Sequence, residues 1–247
     1  MFTHFILTAT SYAKHRRIAL DTIIPDSDQM PDLSMIEEVR SRNIHHLPTS
    51  FHMKSVDGAT VEKLIETDPY FDGVYFCESP DEFISYLEMD MHVSSLEIGK
   101  YILSIMDCSK LKLQKLVYLA YAEYLAKTGN KLFEDKIFAF QYGPVCEDLY
   151  AATRQNGKEW LRKILIPDFD EKSQLVYECR LARAEDGNTK TEVILDVIEK
   201  YGELSPERLV NVTHRPGSPW DHCYQAEKSW ISIPDALIQE YHSTETI

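Results

Sequence analysis

Apolar residues recur at intervals of three and four positions over residues 111–127, the spacing that places side chains on one face of an α-helix. Gly129 follows this segment and is typical of a helix end, because glycine adopts the left-handed conformation without strain. The pattern predicts a long helix with an apolar stripe, which consists of Leu113, Leu116, Val117, Ala120, Tyr121, Tyr124 and Leu125.

Other helices are predicted on both sides of this one. Ser94 and Ser95 are candidate caps for a preceding helix, with Glu97 in its first turn. A short strand or extended segment is predicted over residues 136–141. Residues 158–188 form a variable polar stretch. Further helices are predicted from Pro144 to about Gln155, from Thr191 to Lys200, and from Ser205-Pro206 onward.

The first third of the chain has a different pattern of short alternating elements. Helix-like segments at 32–42 and 59–66 lie between β-like runs, and Ser79-Pro80 predicts a helix over about 80–88. The β-like runs are Phe5–Thr8, Ser50–Met53 and Gly73–Cys77. We therefore predict an α+β protein, with a small α/β accessory domain over 1–93 and a mostly helical domain over 94–247.

Composition places the chain among ordinary globular proteins. Of its 247 residues, 44% are hydrophobic and 27% are charged. The longest unbroken apolar run is Leu116–Ala122, far shorter than the roughly 20 residues of a membrane-spanning helix. The N-terminus lacks the order of charge and apolar residues that marks a secretory signal. We expect a cytoplasmic protein without membrane contact, whose five widely spaced cysteines are reduced thiols.

Net charge argues against free nucleic acid as a partner. The chain carries 26 basic and 40 acidic side chains, a net charge of −14, which repels phosphate backbones. Residues 1–95 hold 7 of the basic and 16 of the acidic side chains. The one dense basic run is Lys14-His15-Arg16-Arg17. Such a surface suits a basic protein partner, although it also serves solubility alone.

Candidate catalytic and metal sites are weak throughout the sequence. His45-His46 with His52, and His214 with Asp221-His222, are the only groups with plausible metal-ligand types. Neither a nucleophile elbow nor a glycine-rich phosphate loop is present. We therefore expect no catalytic residue, no metal and no cofactor, and hence a protein that is not an enzyme.

Aromatic residues allow two interpretations in two places. Tyr118, Tyr121 and Tyr124 share one helix face and either pack in the core or form a stacking surface. Trp220, in the loop Arg215–Trp220, either closes the helical core or anchors a partner.

Three motifs, in this order, make the chain resemble the Panacea domain, the antitoxin SocA-like family, over about residues 94–242. They are residues 111–122 (LKLQKLVYLAYA) followed by Gly129 and Leu132-Phe133, residues 138–145 (FAFQYGPV) followed by Leu149-Tyr150, and residues 212–220 (VTHRPGSPW). The resemblance implies a mostly helical domain that neutralises a protein toxin by binding it, as in type II toxin–antitoxin pairs. The family also occurs in phage-associated proteins, and one member is an adaptor that delivers its toxin to a protease.

The family-like positions are the candidate partner-binding or motif residues. They are Gln114, Lys115, Tyr118, Tyr142, Gly143, Pro144, Thr213, His214, Pro219 and Trp220. Lys115 and His214 are polar residues among apolar neighbours, and a hydrogen bond between them is a candidate link between two motifs.

Two alternative functions stay open at this point. A DNA-binding regulator or phage-associated interaction factor would use Lys14, Arg16 and Arg17. An enzyme would act through the N-terminal unit, where the segment Asp72–Pro80 is similar to a strand of ADP-ribosyltransferase-like folds. Under the antitoxin interpretation, the N-terminal unit adds surface that contacts the toxin.

Overall fold

The computed structural model describes residues 1–12, 14–25, 33–43, 47–157, 160–170, 172–228 and 230–247. The chain folds into two compact units, Met1–Met91 and His92–Ile247. The fold class is α+β, as predicted: a small sheet with helices lies in the first unit, and the second is mainly helical.

The first unit is built on a four-stranded sheet in the order β3-β1-β2-β4. Strand β1 pairs antiparallel with both β2 and β3, while β4 runs parallel to β2. The elements are β1 (Phe2–Ser11), β2 (Arg16–Pro25), α1 (Ser34–Arg42), β3 (Ser50–Val56), α2 (Val61–Thr67), a 3₁₀ turn (Pro69–Phe71), β4 (Tyr75–Phe76) and α3 (Pro80–Met89).

Both faces of this sheet are covered in its centre. Leu7 and Leu20 lie opposite each other and pack in one cluster with side chains of α1 and α3. Ile6 and Ala19 pack on the other side with Leu64 of α2 and Phe71. Because successive side chains of a strand point to opposite faces, burial of both faces produces a continuous apolar run.

The second unit surrounds one buried helix. Residues Leu113–Ala122 of α5 are all buried, and α5 packs against α4, α9, α10, α12 and β6. The elements are α4 (Ser95–Ile105), α5 (Lys110–Thr128), β5 (Ile137–Phe140), β6 (Gly143–Cys146), α6 (Glu147–Thr153), α7 (Arg162–Leu165), α8 (Ser173–Ala182), α9 (Gly187–Tyr201), α10 (Pro206–Thr213), α11 (Pro219–Cys223), α12 (Asp235–Tyr241) and a 3₁₀ turn (His242–Glu245).

The helix ends follow the signals in the sequence. The Ser94 hydroxyl accepts from the amide of Glu97, whose carboxylate accepts from the amide of Ser94, so that two free donors of α4 are satisfied. Gly129 ends α5 with φ of 74°, in the left-handed region predicted for it.

Several elements depart from the predicted pattern. Strand β2 covers residues in which only a basic run was noted, and β6 occupies Gly143–Cys146, where a turn directly into a helix was expected. Helices α7 and α8 lie within 158–188, which was expected to be a variable polar stretch, and α11 begins inside the predicted loop Arg215–Trp220. Among the described residues, no helix has both the length and the apolar character needed to cross a bilayer.

Candidate partner-binding site

Three segments far apart in sequence meet at the turn between β5 and β6. The Lys115 Nζ atom of α5 donates a hydrogen bond to the Pro144 carbonyl at 2.8 Å. A Cβ atom placed on Gly143 would lie 2.8 Å from both Lys115 Nζ and Thr213 Oγ1. Only glycine fits at this position without displacing a neighbour, and its φ of 95° also favours glycine. The structure thus brings together residues from all three sequence motifs.

Gln114 and Lys115 take the place of a neighbouring strand along the outer edge of β6. The Cys146 amide donates to Gln114 Oε1 at 2.9 Å, and the Pro144 carbonyl accepts from Lys115 at 2.8 Å. These two backbone groups, two residues apart, lie on the same edge of the strand. Because buried backbone groups need partners, the pair explains why a glutamine and a lysine, 4% and 0% exposed, occur inside an apolar helix face.

The hydrogen bond between Lys115 and His214 that the sequence suggested is not formed. The two side chains have other partners. Lys115 donates to Pro144, and the His214 ring stacks on Trp220 at 3.6 Å between ring centroids. Burial lowers the pKa of Lys115 to about 7. Burial, together with the charge of Lys115, lowers the pKa of His214 to about 4. The imidazole of His214 is therefore neutral at neutral pH and acts as a packing surface.

Trp220 closes the core, which decides between its two interpretations. Trp220 is 8% exposed, and its ring stacks between those of His214 and Tyr224. The angle between the ring planes is 4° for His214 and 17° for Tyr224. The indole Nε1 donates to the Phe140 carbonyl at 2.7 Å, so Trp220 also connects α11 to β5. Pro219 is in the first turn of α11, whose amide at Asp221 is capped by the Ser218 hydroxyl.

The three tyrosines of α5 belong to the core. Tyr118, Tyr121 and Tyr124 are at most 2% exposed. Each hydroxyl donates to a carboxylate: Tyr118 to Glu245 at 2.9 Å, Tyr121 to Asp235 at 2.8 Å, and Tyr124 to Asp186 at 2.8 Å. The ring packs among apolar side chains while its polar end is satisfied, the usual arrangement for buried tyrosine.

Glu245 and His242 extend this polar cluster, and nothing in the sequence singled them out. His242 Nδ1 lies 3.0 Å from Glu245 Oε2, and Nε2 lies 3.5 Å from Glu123 Oε1. Burial alone lowers the pKa of His242, but the two carboxylates outweigh it and raise the pKa to about 9. The histidine is therefore protonated at neutral pH and links two carboxylates.

Replacing His242 by Gln is expected to destabilise the protein more at pH 6 than at pH 9.5. The pKa of His242 rises from about 6.5 in the unfolded chain to about 9 in the folded chain. The charged imidazole therefore stabilises the fold fully below pH 6.5, and this stabilisation is lost as the pH rises through about 9. The difference in unfolding free energy between wild type and variant should shrink by roughly 1–3 kcal/mol across this range.

Urea unfolding at both pH values measures this difference. Lys115, with a lowered pKa, has the opposite pH dependence, but it is present in both proteins and largely cancels. A difference that does not change with pH would contradict the ion pairs assigned to His242.

A groove lined by aromatic side chains opens beside the β5–β6 turn. Two cavities lie here, of about 730 Å³ and about 500 Å³, and they share Phe140, Gln141 and Tyr150 in their lining. We call the two cavities together the aromatic groove. Tyr142 lines the larger part and is 62% exposed, whereas Trp230 lines the smaller part and is 50% exposed. Sequence reasoning included Tyr142 but missed Trp230, which lies outside the three motifs.

The other candidate groups are placed as follows. His214 stacks on Trp220, His222 packs against Tyr241, and His52 packs against Tyr70 and Phe71. The described part of the chain holds no group of three or more potential metal ligands, and His45-His46 lies outside it. Two cations of the basic run pack on aromatic rings, Lys14 over Tyr86 at 4.4 Å and Arg17 over Tyr70 at 4.2 Å.

Comparison with known proteins identifies the part of the chain that carries these motifs. The model of the family described as antitoxin SocA-like, Panacea domain, matches residues 113–221. Over these residues the chain is similar to the Panacea domain. The match lies within the predicted range of about 94–242 and contains every family-like position named from the sequence.

A curated relative agrees with the family match. The antitoxin SocA of Caulobacter vibrioides (strain NA1000 / CB15N) is 31% identical over 129 residues. These residues are 52% of this chain and 66% of the relative, just under two thirds of its length. No solved structure gives a significant match. The matched residues 113–221 include Lys115, Gly143, Thr213 and Trp220, which lie at and beside the β5–β6 turn.

Proposed function

We propose that this protein is the antitoxin of a type II toxin–antitoxin system, and that it neutralises a protein toxin by direct binding. The observation that carries the proposal is the Panacea domain over residues 113–221, together with its similarity to antitoxin SocA. Its three motifs assemble beside an open aromatic groove, which supports a binding role. On this proposal the protein acts in the cytoplasm as a binding module without catalysis, and a protease is a second partner if the toxin is delivered for degradation.

The N-terminal residues have a supporting role in this proposal. We assign residues 1–93 to an accessory domain that adds toxin-contacting surface, and residues 94–247 to a binding domain. A family that neutralises different toxins needs a variable source of specificity, and a separate unit supplies it without change to the helical core.

Binding between purified proteins tests the proposal. The candidate toxin is the product of the gene adjacent to the one that encodes this chain, which we call the neighbouring gene. The full chain is titrated with this product, and calorimetry measures the affinity and the stoichiometry. We expect a stable complex in which the activity of the partner is inhibited without any protease present. A partner that binds but stays active until a protease is added would favour delivery over blocking. Two proteins that do not bind would contradict the proposal.

A further inference from the structure

We propose that the aromatic groove holds an extended segment of the toxin, which inserts apolar side chains between the aromatic residues and directs a carboxylate towards the lysines of the groove. The inference rests on the proposed function and adds to it the site of contact and the chemistry of the segment that binds there. Shape, exposed aromatic residues, an unused hydrogen-bond donor and local charge support it.

The shape of the groove favours a chain segment. Its two cavities, of about 730 and 500 Å³, are neighbours that share Phe140, Gln141 and Tyr150 in their lining. A compact small molecule would need only one of them, since a typical ligand pocket has about 300–1,000 Å³. An extended peptide can occupy both and place one side chain in each.

The walls present large apolar anchors to solvent. Tyr142 and Trp230 are 62% and 50% exposed. Aromatic residues exposed at a groove are the type most often found at the energetic centre of protein interfaces, where they supply a large contact area at a low entropic cost. The two residues line different parts of the groove, so a bound segment would contact both.

Trp230 is held in a strained conformation that keeps its ring in the groove. Its φ of 62° lies in the left-handed region, which is rare for a bulky residue. The ring meets Phe138, Phe140 and Tyr150 edge to face, with centroid distances of 5.1, 5.1 and 5.7 Å. Strain of this kind is concentrated at functional sites, where the surrounding contacts maintain it. Trp230 is therefore preorganised for contact.

The wall of the groove formed by α5 contains an unused hydrogen-bond donor. Gln114 lines the groove and is 4% exposed; its Oε1 accepts from Cys146, but its Nε2 has no partner among the described residues. An unpaired buried donor costs about 1–3 kcal/mol. The Nε2 atom is itself buried, so an oxygen of the incoming segment would remove this cost once the side chains that cover the atom move aside.

Charge selects an acidic segment. The lining contains Lys110 and Lys228 against Glu207, whereas Lys115 adds little charge, because its Nζ is buried and bonded to the Pro144 carbonyl and its pKa is lowered to about 7. The groove is thus locally positive in a chain whose net charge is −14. A segment that combines apolar side chains with a carboxylate complements it, although the rest of the surface favours a basic partner.

Substitution of the two exposed aromatic residues tests the inference. We expect Tyr142→Ala and Trp230→Ala each to weaken the affinity of the full chain for the protein encoded by the neighbouring gene by about 10-fold or more. Leu175→Ala is the matched control, because Leu175 is 60% exposed on α8 and does not line the groove. It should bind as the wild type does, and the melting temperatures of all three variants show whether they are folded.

Charge reversal tests the chemistry of the segment. Lys228→Glu should weaken binding and Glu207→Gln should strengthen it, and both effects should diminish at high salt. An increase in affinity on Lys228→Glu would contradict the proposal that the bound segment is acidic.

The outcomes separate this inference from the proposed function. If the wild-type chain binds, but Tyr142→Ala and Trp230→Ala bind as well as Leu175→Ala does, the groove is not the contact site while the proposed function stands. If the two variants instead abolish self-association of this chain without changing toxin affinity, the groove binds a second copy and the inference is wrong. If the wild type does not bind at all, the proposed function fails and the inference fails with it.

Discussion

Replacing Trp220 by Ala is expected to lower the free energy of unfolding by about 3–5 kcal/mol, the usual cost of removing a large aromatic side chain from a core. The substitution removes a ring stacked between His214 and Tyr224, and it leaves the Phe140 carbonyl without the indole donor. Because Phe140 also lines the aromatic groove, we expect toxin affinity to fall as well. Chemical denaturation of both proteins measures the loss of stability.

Trp220→Phe is the matched control for this prediction. It keeps an aromatic ring between His214 and Tyr224 but lacks the N–H group, so a smaller loss of about 1–2 kcal/mol is expected. Equal losses for the two variants would show that the hydrogen bond to Phe140 dominates. An unchanged melting temperature for Trp220→Ala would contradict the assignment of Trp220 to the core.

Replacing Gly143 by Ala should destabilise the protein by roughly 2–4 kcal/mol. The backbone at φ of 95° disfavours any side chain. In addition, the new Cβ atom would lie 2.8 Å from Lys115 Nζ and from Thr213 Oγ1, both of them buried. Relief of this contact would move Lys115 away from the Pro144 carbonyl and disturb the edge of β6.

Gly129→Ala separates the two causes. Gly129 has φ of 74°, but a Cβ atom there would meet nothing within 4 Å. Its replacement should cost only the conformational term, about 1–2 kcal/mol. If Gly143→Ala costs no more than Gly129→Ala in urea unfolding, the convergence of Lys115 and Thr213 on Gly143 does not constrain that residue.

Local rules predicted the elements whose signals are strong. Helix α5 has a sustained apolar period and a glycine end, and α3 and α10 both begin with Ser-Pro, so serine caps the helix and proline fits its first turn. The sequence signals therefore placed both ends of α3 and α5, and the start of α10, to within about two residues.

Elements that depend on tertiary contacts were missed. Strand β2 is buried on both faces in its centre, so Ile18, Ala19 and Leu20 do not alternate with polar residues. Strand β6 contains Gly143 and Pro144, which strands disfavour, and the side chains of Gln114 and Lys115 support its edge. Helix α8 exposes Leu175 and Val176, which hides its apolar period.

The residues of the candidate site also divide into those that the sequence predicted and those that it did not. Residues in the three motifs were named from the sequence, and the structure places them around the β5–β6 turn and α11. Trp230, His242 and Glu245 lie outside those motifs, and their importance comes from contacts with residues about 90 to 130 positions away: Trp230 with Phe140, His242 and Glu245 with α5. Sequence spacing carries no information about such contacts.

Growth of cells that express the neighbouring gene tests the central claim most directly. The gene is induced alone, together with the full chain, and together with the Trp230→Ala variant, whose protein level is matched to that of the wild type. We predict that growth stops with the gene alone, recovers with the wild-type chain and recovers poorly with the variant. A neighbouring gene that does not affect growth, or a toxic one that the wild-type chain does not counteract, would contradict the antitoxin function proposed for this protein.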